Sequence, residues 1–210
     1  MERTADGYVY RFRIDNRQGA LDEIGFVELR DQELRLASAI SGPAGWVNTQ
    51  EKQRIVWREP GRGAALAAGK AGGTLTLVSR FMPGLLPMFI QATESSPAIP
   101  GDLPVEMANQ LKDVLSASFN GQVAMVFGPK YSDEEGQGRA IADLRAIADL
   151  LGYVQHRVRL RQLAAASPFV TQVQEHLQAR VRGEAGPPVS ASPMDDREKE
   201  IASLLRVYDK

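Results

Sequence analysis

The chain has 210 residues, of which 43% are hydrophobic and 24% are charged, and this composition excludes a wholly disordered chain. Its 25 basic and 26 acidic side chains leave a net charge of −1, which argues against a nucleic-acid binder, because such proteins carry an excess of basic residues. The chain has no cysteine, so disulfides, zinc–thiolate sites and iron–sulfur clusters held by the protein are excluded.

The sequence contains no membrane-spanning segment of the usual kind. No run approaches the roughly 18 apolar residues of a transmembrane helix, so we expect no membrane insertion. The first seven residues are polar and lack the apolar core of a signal peptide. Two interpretations of location therefore stay open: an exported protein whose signal peptide has been removed, or a cytoplasmic protein.

The first hundred residues carry the signals of an antiparallel β-sandwich. Tyr8, Tyr10, Phe12 and Ile14 alternate with other residues, which predicts a strand with one buried face. Further strands are predicted over 23–29, 33–40, 54–58, 74–79 and 87–91, and turns separate them, with Pro83-Gly84 as one break. Six short strands without a helix favour a sandwich over a βαβ fold. We expect Tyr10, Phe12 and Trp57 in its core.

The predicted sandwich domain covers residues 1–96. The next segment, 97–138, is predicted to pack on the sandwich as a connecting helix and strand. The helix is expected over 104–116, where apolar residues recur at helical spacing, and the strand over 122–127, closed by Gly128-Pro129.

Residues 139–183 carry the clearest helical signals. One helix is predicted over 139–164, and a second begins at Ser167-Pro168, a good N-cap and first-turn pair, and ends near Gly183. A short connection predicts an antiparallel hairpin. The two apolar stripes that should face each other are Ile141, Leu144, Ile147, Leu151, Val154 and Val158, and Phe169, Val173, Leu177 and Val181.

The last part of the chain is predicted to be a linker and a short helix. Residues 184–194 are rich in proline, glycine and serine, which favours a mobile linker. The short C-terminal helix is expected over 195–210, with Ile201, Leu204 and Leu205 as its apolar edge. The fold class expected for the whole chain is therefore α+β.

A group of arginines near the helical turn is the candidate interaction site. It could bind an acidic partner or phosphates, and the alternative is a solvated face balanced by the acidic residues of 133–149. The five residues are Arg157, Arg159, Arg161, Arg180 and Arg182.

The sequence predicts no catalytic residue, no metal ligand and no cofactor. His156 and His176 are the only histidines, and neither has the spacing of a helical metal pair. No nucleophile-elbow motif is present. A hydrolase using His156 or His176 stays an alternative, because the members of a catalytic triad are distant in sequence. Trp46 and Trp57 could stack on a glycan, but with few aromatic residues in the chain we expect them in the core.

The order of several structural motifs resembles an immunoglobulin-like module of bacterial exported and surface proteins. The motifs, within residues 7–92, are Tyr8-x-Tyr10-x-Phe12-x-Ile14-x-Asn16, Pro43-Ala44-Gly45-Trp46, Ile55-Val56-Trp57, Ala68-Gly69-Lys70 and Pro83-Gly84. Some such proteins carry a helical segment afterwards, which residues 139–182 match. The resemblance implies a sandwich fold and export to the periplasm or cell surface, and it supplies no catalytic residues.

The function expected from these observations is a non-catalytic structural or protein-interaction module of a bacterial cell-surface or periplasmic system. Its partner is expected to be a protein, and a homo-oligomer formed through the helices stays open. The alternatives are a small-ligand or glycan-binding domain and the histidine-dependent hydrolase.

Overall fold

The computed structural model of the chain describes residues 1–18, 21, 23–61, 63–91, 121–132, 138–159, 162–165, 167–189 and 195–208. The strands in these residues are β1 (Glu2–Thr4), β2 (Gly7–Asp15), β3 (Glu23–Ile24), β4 (Phe26–Arg30), β5 (Ala39–Ser41), β6 (Val47–Glu51), β7 (Arg54–Arg58), β8 (Leu66–Ala67), β9 (Ala71–Ser79), β10 (Met82–Gln91) and β11 (Gly121–Tyr131). The helices are α1 (Gly138–Arg159), α2 (Pro168–Val181) and α3 (Asp196–Tyr208).

The strands form two main antiparallel sheets that share one hydrophobic core. The four-stranded sheet has the order β1-β2-β9-β5, and the five-stranded sheet has the order β11-β10-β4-β7-β6. One cluster of buried side chains contains Tyr10 and Leu77 from the first sheet and Leu29 and Trp57 from the second. The α+β class and the antiparallel sheets predicted from the sequence are thereby confirmed, and the two sheets have a sandwich-like arrangement.

Of the three aromatic residues predicted in the core, Tyr10 and Trp57 are buried and Phe12 is not. Tyr10 and Trp57 are fully buried, and their polar tips are satisfied by backbone carbonyls: Tyr10 Oη donates to Phe81 O at 2.6 Å and Trp57 Nε1 donates to Ser41 O at 3.0 Å. Phe12 is only partly buried and meets the Trp57 ring edge-on, with centroids 6.5 Å apart. Trp57 therefore contributes more apolar burial than Phe12 does.

Pro83-Gly84 does not break the chain as predicted, because both residues lie inside β10. β4 pairs only with Met88–Gln91, so Pro83 and Pro87 lie where β10 has a strand on one side only. A missing N–H is tolerated at such a position. The strand predicted over 122–127 likewise continues past Gly128-Pro129 and pairs with β10 along its length, so it is an integral strand of the sheet.

The predicted strand over 33–40 is mostly loop. Only Ala39–Ser41 is a strand, and the residues before it cross from one sheet towards the other, with Arg35 N donating to Pro129 O and Ser38 N to Val78 O. β6 was not predicted, because its sequence, Val-Asn-Thr-Gln-Glu, has little apolar alternation. The helix expected over 104–116 lies outside the described residues.

The three helices build a second hydrophobic cluster on the outside of the five-stranded sheet. Phe127 of β11 and Leu85 of β10 contact this cluster, whose buried helical members include Leu150, Val173 and Leu204. α2 ends as predicted, with Gly183 at a φ of +77° just beyond it. No helix in the described part of the chain is long and apolar enough to cross a membrane.

The buried face of α1 differs from the predicted stripe. Ile141 and Leu144 are 39% and 40% exposed, whereas Ala142 and Ala146 are buried in the sandwich core. The helix packs on β10 as well as on α2, and small residues allow it to approach the sheet closely. Val181, which belongs to the α2 stripe, is also exposed.

Asp149 of α1 fastens the helices to the sheet. Its Oδ2 accepts hydrogen bonds from Leu85 N at 2.7 Å and from Tyr131 Oη at 2.8 Å, and it lies 3.5 Å from Lys130 Nζ. Lys130 also lies 3.2 Å from Glu33 Oε2 and donates to Leu85 O. We call Asp149, Leu85, Tyr131 and Lys130 the helix clasp.

Candidate interaction surface

Part of the five-stranded sheet turns a face away from the sandwich core and from the helices. Successive side chains of a strand point to opposite faces of the sheet, so the residues that alternate with the core residues point outwards. Register pairing aligns them across the sheet, for example Phe89 with Glu28, and Glu28 with Val56. We call this set the outer face: Phe26, Glu28, Arg30, Val47, Thr49, Glu51, Arg54, Val56, Arg58, Pro87, Phe89, Val123 and Met125.

A buried carboxylate lies at the centre of the outer face. Glu28 is 2% exposed, and Arg30 and Arg54, which face each other across β4 and β7, both bind it. Arg54 Nε donates to Glu28 Oε1 at 2.6 Å, Arg30 Nε lies 3.0 Å from the same oxygen, and Arg30 Nη2 donates to Oε2 at 3.2 Å. Charge-assisted hydrogen bonds of this kind compensate the desolvation of the carboxylate.

The two arginines remain accessible although Glu28 holds them. Their side chains are 59% exposed for Arg30 and 41% exposed for Arg54. Only Nε of Arg54 contacts Glu28, so its two terminal nitrogens have no acceptor among the residues that the structure describes. The face therefore presents two fixed guanidinium groups with N–H donors that are free to bind a ligand.

Apolar groups surround this charged centre. The guanidinium of Arg30 lies over the Phe89 ring, 5.2 Å from its centroid. Val56 is buried although it belongs to neither hydrophobic cluster, and the methylene stems of Arg54 and Arg58, two residues away on the same strand face, can cover it. Val123 is 54% exposed at one edge of the face.

An open groove continues the outer face at one end. It lies between the chain that follows β4 and the β6–β7 turn, and its volume is about 540 Å³. Three cations, two carboxylates and two amides line it: Arg30, Asp31, Gln32, Glu51, Lys52, Gln53 and Arg54. Asp31 links the two segments that form the groove, because its N–H donates to Gln53 O at 3.2 Å. Its Oδ1 accepts a hydrogen bond from Glu33 N at 2.8 Å.

The predicted arginine group on the helices is divided between two places. Arg157, in the last turn of α1, donates to Tyr153 Oη at 2.7 Å and to Gln162 Oε1, and its guanidinium lies over the Tyr153 ring. Arg182, just beyond the other end of α2, binds Glu184 through two nitrogens at 2.8 and 3.0 Å. Both side chains thus have partners within the chain.

The other three predicted arginines add little to a joint site. Arg159 is exposed at the end of α1, Arg180 is half-buried in the last turn of α2, and Arg161 lies outside the described residues. The described residues give no geometry in which all five converge.

The two histidines occupy different surroundings. His156 is exposed on α1, whereas His176 is buried on α2 with its Nδ1 2.8 Å from Pro187 O. This contact ties the described part of the predicted linker, 184–189, to α2. In the part of the chain that the structure describes, no three acidic or histidine side chains converge as metal ligands.

The tryptophans occupy core positions. Trp57 is fully buried, and Trp46 is 9% exposed with its Nε1 donating to Ala64 O at 2.9 Å. Neither ring is therefore presented as an open stacking platform for a sugar.

Sequence reasoning missed the outer face. Glu28 and Arg54 are 26 residues apart, and their contact requires the pairing of β4 with β7. The available signal was a carboxylate at the middle of an apolar strand, Val27-Glu28-Leu29, since a charged residue there needs an oppositely charged partner. No family model, no curated protein and no solved structure matches this chain.

Proposed function

We propose that this chain is a protein-interaction module and that the outer face is its contact surface. The observation that carries the proposal is the pair of accessible guanidiniums that buried Glu28 holds in place beside exposed apolar side chains. Protein interfaces are enriched in arginine, aromatic residues and methionine, and they are depleted in lysine. The outer face has three arginines, two phenylalanines and a methionine, and no lysine.

Charge supports a partner whose contact surface is acidic. The outer face has one more positive than negative charge, because it contains Arg30, Arg54 and Arg58 but only Glu28 and Glu51. The terminal nitrogens of Arg54 are available to a ligand. Electrostatic complementarity of this kind raises the rate and specificity of association. Location in the periplasm or on the cell surface is part of the proposal and has its support in the motif resemblance; cell fractionation of the source organism tests it.

The test compares two variants with the same change of charge. Val123→Glu/Arg58→Glu alters two exposed positions of the outer face, and Leu36→Glu/Arg13→Glu alters two exposed positions elsewhere. We expect a partner retained from an extract of the source organism by the wild-type chain to be retained by the second variant and lost by the first. The purified partner should then show the same order of dissociation constants.

Two outcomes contradict this function. One is a wild-type chain that retains no protein above an empty resin. The other is equal retention by all three chains, which would place any contact outside the outer face.

A further inference from the structure

We propose that the groove binds a side-chain carboxylate of an acidic polypeptide segment, which Arg30 and Arg54 receive between them. This inference rests on the proposed function, because it names the chemistry of the partner at one end of the outer face. The groove contains both arginines and adjoins Phe89 through Arg30.

The geometry favours an oxyanion of planar, forked shape. A guanidinium presents N–H groups in a fixed plane that matches the two oxygens of a carboxylate. Arg30 and Arg54 are register partners on adjacent strands, and Glu28 binds Arg54 through Nε and Arg30 through Nε and Nη2. Both terminal nitrogens of Arg54 and Nη1 of Arg30 have no acceptor among the described residues, and both side chains line the groove.

Glu28 also fixes the two side chains before a ligand arrives. A free surface arginine loses rotamer entropy when it binds, and that loss weakens the interaction. Here the carboxylate has already restricted Arg30 and Arg54, and the Phe89 ring holds Arg30 from a second side. A carboxylate of the partner consequently meets donors that need little rearrangement.

The acidic residues of the groove select against a dense polyanion. Asp31 and Glu51 line the same space as Arg30, Lys52 and Arg54, so three carboxylates balance three cations once Glu28 is included. A nucleic acid or an anionic membrane surface would bring several negative charges close to these two carboxylates. A single carboxylate among neutral residues avoids that repulsion, which favours a polypeptide.

Apolar residues should flank the carboxylate in the partner. Phe89 and Val123 lie on neighbouring strands of the outer face, and they offer apolar surface beside the charged centre. In an extended segment, residues two apart lie on the same side, so a glutamate with a valine two residues away would place a carboxylate in the groove and an apolar side chain on this surface.

The experiment titrates the intact chain with two capped peptides, Val-Ser-Glu-Ser-Val and Val-Ser-Gln-Ser-Val, which differ by one carboxylate. NMR signals of the arginine Nε–H groups report binding at Arg30 and Arg54. We expect the glutamate peptide to bind at least about tenfold more tightly than the glutamine peptide, a difference of one guanidinium–carboxylate pairing. Inorganic phosphate is titrated in parallel.

Arg54→Lys tests the fork geometry while it keeps a positive charge for Glu28. We expect it to weaken binding of the glutamate peptide at least about fivefold, since an ammonium cannot form the forked pair. Arg13→Lys, exposed on the other sheet, is the matched control and should change binding less than twofold. Thermal unfolding of each variant checks that the fold is intact.

Three results would overturn the inference: equal binding of the two peptides, equal effects of Arg54→Lys and Arg13→Lys, or binding of phosphate without binding of the glutamate peptide. If one of these occurs while Val123→Glu/Arg58→Glu still abolishes retention of the partner, the proposed function stands and only the carboxylate site is wrong.

Discussion

At the scale of single residues, Glu28 determines how the outer face is built. A carboxylate that is 2% exposed has lost its water, and Arg30 and Arg54 replace the lost hydrogen bonds. Glu28→Gln removes the charge but keeps an oxygen acceptor. We expect it to lower the free energy of unfolding by about 1–3 kcal/mol, as measured by urea denaturation.

The matched variant is Glu51→Gln, which neutralises an exposed carboxylate of the same face. Its effect should stay within about 0.5 kcal/mol. Equal destabilisation by the two substitutions would mean that burial gives Glu28 no special contribution.

At the scale of elements, the helix clasp joins α1 to β10. Asp149→Ala removes the acceptor for Leu85 N–H and for Tyr131 Oη, and it leaves Lys130 with one carboxylate fewer. We expect a loss of about 1–3 kcal/mol of unfolding free energy, because the part-buried Leu85 N–H would lack its partner. Amide hydrogen exchange should accelerate more in α1 than in β2.

Glu175→Ala supplies the comparison, because Glu175 is exposed on α2 and takes no part in the clasp. It should leave the exchange rates of α1 unchanged. Uniform acceleration of α1 and β2 by Asp149→Ala would show that the helices and the sandwich open as one unit.

At the scale of the whole molecule, buried tyrosines link the fold to alkaline pH. Burial raises the pKa of Tyr10, Tyr131 and Tyr208 above the ordinary value of about 10, and the Asp149 carboxylate raises that of Tyr131 further. The folded chain holds these protons while the unfolded chain releases them. The stability that they contribute is complete below pH 10 and is lost as the pH rises towards the folded-state pKa values.

We therefore expect the free energy of unfolding to fall above about pH 10 by up to about 1.4 kcal/mol per pH unit for each such tyrosine. Tyrosinate absorbance at 295 nm should rise together with the loss of the circular-dichroism signal. Full ionisation of the tyrosines in a chain that keeps its native spectrum would contradict this expectation.

The sequence was sufficient for features that depend on neighbours along the chain. Alternation identified β2, and the proline and glycine signals located both ends of α2. Ser167 is the N-cap residue of α2 as expected, but its hydroxyl donates to Glu198 Oε1 at 2.6 Å instead of capping the helix. That difference arises from α3, which approaches from elsewhere in the chain.

Features that depend on distant pairing were not predictable in this way. The exposed side of α1 is set by its contact with β10, so Ile141 was assigned to the wrong face. The candidate site has the same origin, since Arg30 and Arg54 become neighbours only when β4 and β7 pair. The interaction site was predicted on the helices because several arginines are close together in the sequence there, but Arg157 and Arg182 bind partners within the chain.

The pairing of β2 with β9 has a consequence for synthesis of the chain. Tyr10 of β2 pairs with Leu77 of β9, 67 residues further along the chain (77 − 10). At translation rates of about 5–20 residues per second, β2 is synthesised about 3–13 s before its partner strand. During that interval the apolar face of β2, which contains Tyr8, Tyr10 and Ile14, is exposed to solvent. Chaperones can bind the nascent strand through this apolar segment. The sandwich can close only after β9 and β10 have been made, and α1 then has a surface on which to dock.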